Sequence, residues 1–302
     1  MMIKLYTKSN VSKIAQLSCK LSCAAIVAIA FSAATLKINS SIAAETDIKS
    51  SNLSSLPKDS LNSVMWDFVA TEFLLSDKSS KKIVMNNQIL VHAPKVAEDQ
   101  LNLPIHVDAR SVKNVQKIVV IADLNPIPKV LTYEPKQAEA RLSFRIKVGQ
   151  ATPVRAAVLD KDGVWHVGGT FVDASGGGCS QPAVAYGNDD WVKRLAEIRG
   201  KIWRTPGQKS AKLRFSVRHP MDTGLADGIP AFFVEKLEFK GANDKLIGNL
   251  IIHEPISENP TVTLFPILKE ATTAVRIKGR DNEGNLIDVA VPAPVQSSAL
   301  QN

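Results

Sequence analysis

The sequence predicts an all-β fold made of two β-sandwiches, joined by a helical connector, with one helix at the start of the first sandwich. Short runs rich in β-branched residues recur along the chain between polar or proline-bearing turns. Several runs alternate apolar and polar residues, as a strand with one buried face requires. The chain has 302 residues, which suits two domains of ordinary size, each with its own core.

Residues 1–43 are predicted to be a cleaved signal peptide. Lysines precede an apolar run at 23–36, no acidic residue occurs before Glu45, and small residues follow at 41–44. The run has about fourteen residues, and a membrane-spanning helix needs ~20, so we expect a periplasmic protein with no membrane span after cleavage. Five signal lysines contribute to the formal net charge of +8, which leaves +3 for the mature chain. This low charge argues against nucleic-acid binding.

The first sandwich is predicted to occupy residues 59–182, after a disordered leader at 44–58 that is rich in Ser, Asn and Lys. It begins with a helix, because Asp59 or Ser60 can cap one and apolar residues recur at helical spacing from Leu61 to Leu75. About seven strands follow. The clearest runs are 83–91, 103–109, 117–124, 141–148, 154–159 and 164–172.

Residues 183–205 are predicted to form the helical connector. Asp189 and Asp190 can open a helix, one face of which carries Trp191, Leu195, Ile198 and Ile202. The second sandwich is predicted at 206–294, with strands at 213–217, 233–239, 246–252 and 262–264 and a closing hairpin at 274–291. Residues 295–302 are expected to be a tail.

The most unusual segment leaves the last strand of the first sandwich. Gly176, Gly177 and Gly178 lead directly into Cys179. A run of glycines is a joint with little preferred shape. Because Cys19 and Cys23 leave with the signal peptide, Cys179 is the one cysteine of the mature chain, which in an exported protein suggests intermolecular pairing or a reactive thiol. We therefore predict a mobile arm that holds the sulfur away from the folded body; the alternative is a surface turn with an inert cysteine.

Six further motifs extend the pattern, three of them before the glycine-cysteine arm and three after the connector. They read Ala93-Pro94-Lys95-Val96-Ala97-Glu98-Asp99, Leu103-Pro104-Ile105-His106-Val107, Asn125-Pro126-Ile127-Pro128, Arg218-His219-Pro220-Met221-Asp222-Thr223-Gly224 and Ile256-Ser257-Glu258-Asn259-Pro260; Ile229-Pro230-Ala231-Phe232-Phe233 accompanies them. With these motifs, residues 83–179 resemble SoxY and residues 213–291 resemble SoxZ. SoxY and SoxZ are the two subunits of the sulfur-compound carrier of bacterial sulfur oxidation.

The resemblance implies an immunoglobulin-like sandwich for each half, paired within one chain, and covalent attachment of cargo to Cys179. The fused arrangement resembles the carriers associated with quinoprotein dehydrogenases. The implied partners are periplasmic Sox-type enzymes or c-type cytochromes and a PQQ-dependent dehydrogenase. No tightly bound cofactor is expected, only a sulfur adduct on the cysteine. One departure is that the SoxY arm ends its chain, whereas Ser180, Gln181 and Pro182 continue this one.

Two other functions stay open. The chain could be a non-covalent accessory module for a quinoprotein dehydrogenase or its cytochrome, with the thiol dispensable. A thiol enzyme such as a sulfurtransferase would need a thiolate, and no Lys, Arg or His stands between Ala174 and Pro182 to stabilise one. None of the five histidines stands three or four residues from another His or a Cys, so the sequence does not predict a metal site.

Overall fold

The computed structural model describes residues 56–187 and 190–294. The predicted signal peptide, nearly all of the leader and the tail lie outside these residues. The described chain contains seventeen strands. Their bounds are β1 Lys82–Met85, β2 Leu90–His92, β3 Leu103–Asp108, β4 Val115–Ala122, β5 Lys129–Pro135, β6 Ala138–Ile146, β7 Thr152–Asp160, β8 Val164–Val172, β9 Ile198–Trp203, β10 Lys212–Val217, β11 Asp222–Thr223, β12 Ala231–Phe232, β13 Val234–Lys240, β14 Leu246–Ile252, β15 Thr261–Pro266, β16 Ala274–Asp281 and β17 Leu286–Pro292.

Two sheets form the layers of the molecule. The larger has nine strands in the order β1-β8-β7-β4-β5-β14-β13-β16-β17, and the smaller has six in the order β2-β3-β6-β15-β10-β9. Side chains from both layers meet in one core, as Phe215 of β10 and Phe239 of β13 do with ring centroids 5.4 Å apart. The all-β, sandwich-type fold predicted from the alternating strands is confirmed.

The two halves share both sheets. Strand β5 of the first half pairs antiparallel with β14 of the second, and β6 pairs with β15 in the same way. Tyr133 lies opposite Leu250 at the first junction, and Leu142 lies opposite Leu264 at the second. Each half thereby covers the sheet edges of the other, which removes unpaired backbone groups at two edges. All described residues fall within one compact unit.

The N-terminal helix is present but shorter than predicted. An α-helix, α1, covers Trp66–Val69, and a π-helical segment continues it over Ala70–Leu75. The expected start at Asp59 is wrong: its carboxylate accepts from the Leu61 and Ser63 N–H groups in the turns before the helix, and it pairs with the buried guanidinium of Arg155 at 2.6 and 2.7 Å. The helix packs on the outer face of the nine-stranded sheet, where the Trp165 indole N–H donates to the Leu74 carbonyl at 3.1 Å.

The helical connector at 183–205 is wrong for most of its length. Within it, a 3₁₀ turn covers Val184–Gly187 and a short helix, α2, covers Asp190–Lys193; further 3₁₀ turns lie outside it at Gly178–Ser180 and Ala242–Asp244. Residues 198–203 instead form β9, which pairs with β10 at the edge of the six-stranded sheet. Ile198 and Ile202 are four residues apart, and this spacing fits one face of a strand as well as one face of a helix. The backbone pairing of residues 198–203 with β10 makes this segment a strand.

Candidate functional site

The glycine-cysteine arm is folded down onto the body of the protein. Cys179 lies in the 3₁₀ turn Gly178–Ser180, and its side chain is free of disulfide bonds and 2% exposed. The expectation that the sulfur is held away from the body is therefore wrong for this structure. The sequence pattern could not reveal this, because a glycine run permits a docked path as readily as an extended one.

The base of the arm is fixed by the first half of the chain. The Asp173 N–H donates to the Lys95 carbonyl and the Ala97 N–H donates to the Asp173 carbonyl, both at 2.8 Å. The Gln100 side chain then donates to the Ser175 hydroxyl at 2.7 Å. The motif at 93–99 thus holds Asp173, the residue at which the arm begins, by backbone hydrogen bonds.

The three glycines have different structural roles. Gly176 and Gly177 have φ values of +98° and +89°, a region that side chains other than that of glycine rarely adopt. Gly178 is required by close contact, because a Cβ there would stand 2.3 Å from the Gln100 carbonyl oxygen and 2.7 Å from that of Val148. The turn at Gly149 receives the arm, since its carbonyl accepts from the Gly177 N–H at 3.1 Å.

The Asn125-Pro126 motif supports that receiving turn from behind. The Asn125 amide donates to the Lys147 carbonyl and accepts from the Gly149 N–H, both at 2.9 Å. A Cβ on Gly149 would stand 2.9 Å from Pro126 and 3.7 Å from the Cys179 sulfur. The receiving turn therefore has no room for a side chain, and it brings its backbone against the thiol.

The second half of the chain holds the segment that follows the cysteine. The Thr223 hydroxyl donates to the Cys179 carbonyl at 2.5 Å. The Asp222 carboxylate accepts from the Ala183 N–H at 3.2 Å and from the Tyr186 hydroxyl. The Glu258 carboxylate accepts from the Val184 N–H at 2.7 Å. These contacts on residues 179–186, called the latch below, come from two motifs of the second half, 218–224 and 256–260.

Those two motifs are locked together by backbone and imidazole hydrogen bonds. The His219 N–H donates to the Asn259 side chain at 3.2 Å, and the Asn259 N–H returns to the His219 carbonyl at 2.9 Å. The His219 ring accepts from the Met221 N–H at 3.1 Å. Burial lowers the pKa of His219 to about 4, so the ring is neutral, in keeping with the structural role that its motif predicts.

One functional candidate escaped the sequence analysis: Lys147 lies beneath the docked arm. Its side chain is 3% exposed and its ammonium donates to the Met221 carbonyl. Burial lowers the pKa of Lys147, while Asp222, Cys179 and Glu258 oppose that shift. The residue continues the alternation of Arg141, Ser143 and Arg145, which predicts a solvent-facing side chain, so nothing in the pattern indicates its burial.

The docked thiol is poorly ionised. Burial raises the pKa of Cys179 from 9.0 to about 11, and the nearby Lys147 charge only partly offsets the effect. At neutral pH the docked sulfur is a protonated thiol, which is a weak nucleophile. Among residues 56–187 and 190–294, no three His, Cys, Asp or Glu side chains gather into a possible metal site.

The fold and the site define a β-sandwich protein whose two halves share both sheets, and the one thiol among the described residues follows three glycines at the junction of the halves. The sequence pattern of the family described as "Sulfur oxidation protein SoxY" matches residues 77–179, and that described as "Sulphur oxidation protein SoxZ" matches residues 204–289. The two matches together cover more than half of the chain. The chain belongs to the sulfur oxidation proteins, as a fusion of a SoxY domain with a SoxZ domain.

Among solved structures, the chain is similar to the sulfur carrier protein SoxY from Chlorobium limicola f thiosulfatophilum, with 20% sequence identity and a TM-score of 0.31. The similarity covers 36% of this chain and 94% of that one. No curated protein matches. Within the described part of the chain, none of the helices has the length and apolar character needed to cross a membrane.

Proposed function

We propose that the chain is a periplasmic carrier that holds a sulfur-containing, or other thiol-reactive, intermediate covalently on Cys179 and presents it to partner enzymes. The observation that carries this proposal is that the SoxY match ends at Cys179, the only cysteine after residue 23, immediately after three glycines. The hinge residues Gly176, Gly177 and Gly178 are then the joint on which the arm leaves the body.

In this proposal the docked arm is the closed state of the carrier. A thiol that is protonated and 2% exposed is protected from adventitious chemistry. Loading requires the latch to open so that the thiol reaches water or the pocket of a partner. Because the docked thiol is not activated, the chain acts as a carrier and the partner supplies the catalysis.

The chemistry of loading the cysteine indicates which kind of partner the carrier needs. When the Cys179 thiol and a sulfur anion join in an S–S bond, the thiol loses its proton and the pair loses two electrons. An electron acceptor must take them up, and a c-type cytochrome is the acceptor class that we propose. By resemblance, Sox-type enzymes and a PQQ-dependent dehydrogenase complete the set of partners. No tightly bound cofactor is needed for this role, only the adduct.

The test is the mass of the intact protein, purified from its native host without reductant. We expect a mass increase that maps to the peptide containing Cys179 and disappears on reduction. A Cys179→Ser strain should lose the associated oxidation activity, with Ser180→Ala as the matched control at the neighbouring position. An unmodified thiol in the host, together with a Cys179→Ser strain that behaves like its parent, would refute the carrier proposal.

The burial of the thiol favours a second candidate, in which the two domains act as a non-covalent accessory module for a quinoprotein dehydrogenase or its cytochrome. Here the arm is a structural strap between the halves. The two candidates differ in the same strain: the accessory role predicts that Cys179→Ser retains activity, because serine is close to cysteine in size and keeps the docked turn.

A further inference from the structure

A row of polar side chains crosses the outer face of the six-stranded sheet, apart from the docked arm. In the SoxY half, His92 lies opposite His106, and His106 lies opposite Ser143. The row continues into the SoxZ half, where Thr263 lies opposite Ser143 and Arg214 lies opposite Thr263. Each member can donate a hydrogen bond. The row is therefore a line of donors that passes over the junction between the two halves.

The same side chains line a cavity of about 480 Å³, joined there by Arg145. This volume is within the range of about 300–1,000 Å³ typical of small-ligand sites. The Arg145 guanidinium donates to the Thr261 hydroxyl at 3.1 Å and so reaches across to β15. The His106 ring lies 2.8 Å from the Ser143 hydroxyl and stacks on the His92 ring at a centroid distance of 6.0 Å.

The charge of this cavity is unbalanced. No aspartate or glutamate is among its lining residues, and in the described part of the chain neither Arg145 nor Arg214 pairs with a carboxylate. Other arginines of this protein do pair, as Arg276 does with Asp288 at 2.6 Å. Two guanidinium groups from different halves therefore flank β15 without a counterion. Guanidinium groups bind oxyanions through paired N–H donors, which makes an oxyanion the complementary ligand.

We propose that this cavity binds a small divalent oxyanion of the sulfate type, held by Arg145 and Arg214 and by the hydroxyls of Ser143 and Thr263. Sulfate, thiosulfate and hydrogen phosphate share this chemistry: each is a compact dianion with at least three oxygens that accept hydrogen bonds. The site does not involve Cys179, so it goes beyond the carrier function and stands or falls independently of it.

Isothermal titration calorimetry on the whole mature chain tests the site, with sodium sulfate, thiosulfate or phosphate as titrant and NaCl holding the ionic strength constant. We expect saturable binding at one site per chain. Arg145→Gln and Arg214→Gln should each weaken binding about tenfold or more, because each removes a charged pair of donors. Arg276→Gln is the matched control on the other sheet and Cys179→Ser separates the site from the thiol; both should bind as the parent does.

The Arg214 side chain makes no hydrogen bond to another described residue, so its variant should fold normally and keep the test decisive. Tighter binding of thiosulfate would assign the site to sulfur oxyanions, and equal binding of all three anions would assign it to dianions generally. The proposal is overturned if no titrant gives saturable heat, or if binding survives the double variant of Arg145 and Arg214. Binding of polyglutamate without binding of the small anions would also overturn it, and would assign the face to an acidic macromolecule.

Discussion

Opening of the latch can be tested by the smallest change available at the arm, Tyr186→Phe. The Tyr186 hydroxyl donates to the Asp222 carboxylate, a bond that exists only when the segment after Cys179 is docked. The substitution removes this bond and keeps the ring, which packs edge-on against Trp191 at a centroid distance of 5.2 Å. The ring contact is therefore preserved while one anchor of the docked arm is lost.

The size of the effect follows from the character of the bond. Hydrogen bonds to charged groups contribute about 1.5–3 kcal/mol. Tyr186 is 40% exposed, so water replaces part of the lost bond and the lower end of that range applies. About 1.4 kcal/mol is a factor of ten in an equilibrium constant. We therefore expect the population with an undocked arm to rise about tenfold in Tyr186→Phe.

The assay is the rate at which iodoacetamide alkylates Cys179 in the native protein, followed by intact mass. When the arm opens and closes faster than the reagent reacts, this rate is proportional to the undocked population. Tyr133→Phe is the matched control, because its buried hydroxyl has no hydrogen-bond partner among the described residues and its loss should leave the rate unchanged. Equal rates for the parent and for Tyr186→Phe would refute the latch. A parent rate equal to that of a free cysteine peptide would refute docking itself.

Three further predictions follow from the same structure. Gly178→Ala should keep the arm undocked and bring alkylation of Cys179 close to the rate of a free thiol, because its Cβ overlaps two carbonyl oxygens. Gly187→Ala should not change that rate, because no other described residue lies within 4 Å of its Cβ. Docking raises the pKa of Cys179 from 9.0 to about 11, so the free energy of docking is at its full value below about pH 9 and falls by about 1.4 kcal/mol per pH unit between pH 9 and pH 11. The ratio of the arm's hydrogen-exchange rate to the intrinsic rate should therefore be constant from pH 7 to about pH 9 and rise from there to pH 10.5. A ratio that stays constant over the whole range would contradict this. Arg155→Leu leaves two buried carboxylates unpaired and should lower the free energy of unfolding by about 3–5 kcal/mol in urea titrations, whereas Arg276→Leu, at an exposed pair, should change it little; similar effects for the two would show that the buried cluster is not structural.

The sequence predicted strands best where one face of the strand is exposed to solvent and the other is buried. The run at 141–148 alternates cleanly and is β6, and the run at 213–217 is β10. Strands β5 and β9 could not be predicted in this way. Strand β5 lies among prolines and is buried on both faces, so it shows neither alternation nor clear turn boundaries. Strand β9 reads equally well as a helix until the open edge of β10 is known.

Only part of the candidate site could likewise be predicted from the sequence. The cysteine, its glycines and the motifs around it are visible in the sequence because each has an unusual composition. The docked position of the arm cannot be predicted from the sequence, because it depends on contacts between residues far apart in the chain. The Gly178 N–H donates to the Val148 carbonyl at 3.0 Å, and the Cys179 carbonyl accepts from the Thr223 hydroxyl of the other half. Lys147 was missed for this reason: its burial is created by the segments that fold over it.

These contacts also explain why the two domains share one chain. The receiving turn at Gly149 belongs to the SoxY half, while the latch acceptors Asp222 and Glu258 belong to the SoxZ half. Because both sheets run through the junction, the two parts of the docking site are held at a fixed distance. An arm tied at both ends gives up reach but loses less chain entropy when it docks than a free tail would. In the proposed carrier, a closed state held by several modest hydrogen bonds is strong enough to cover the thiol, and weak enough that a partner which competes for those bonds would open it.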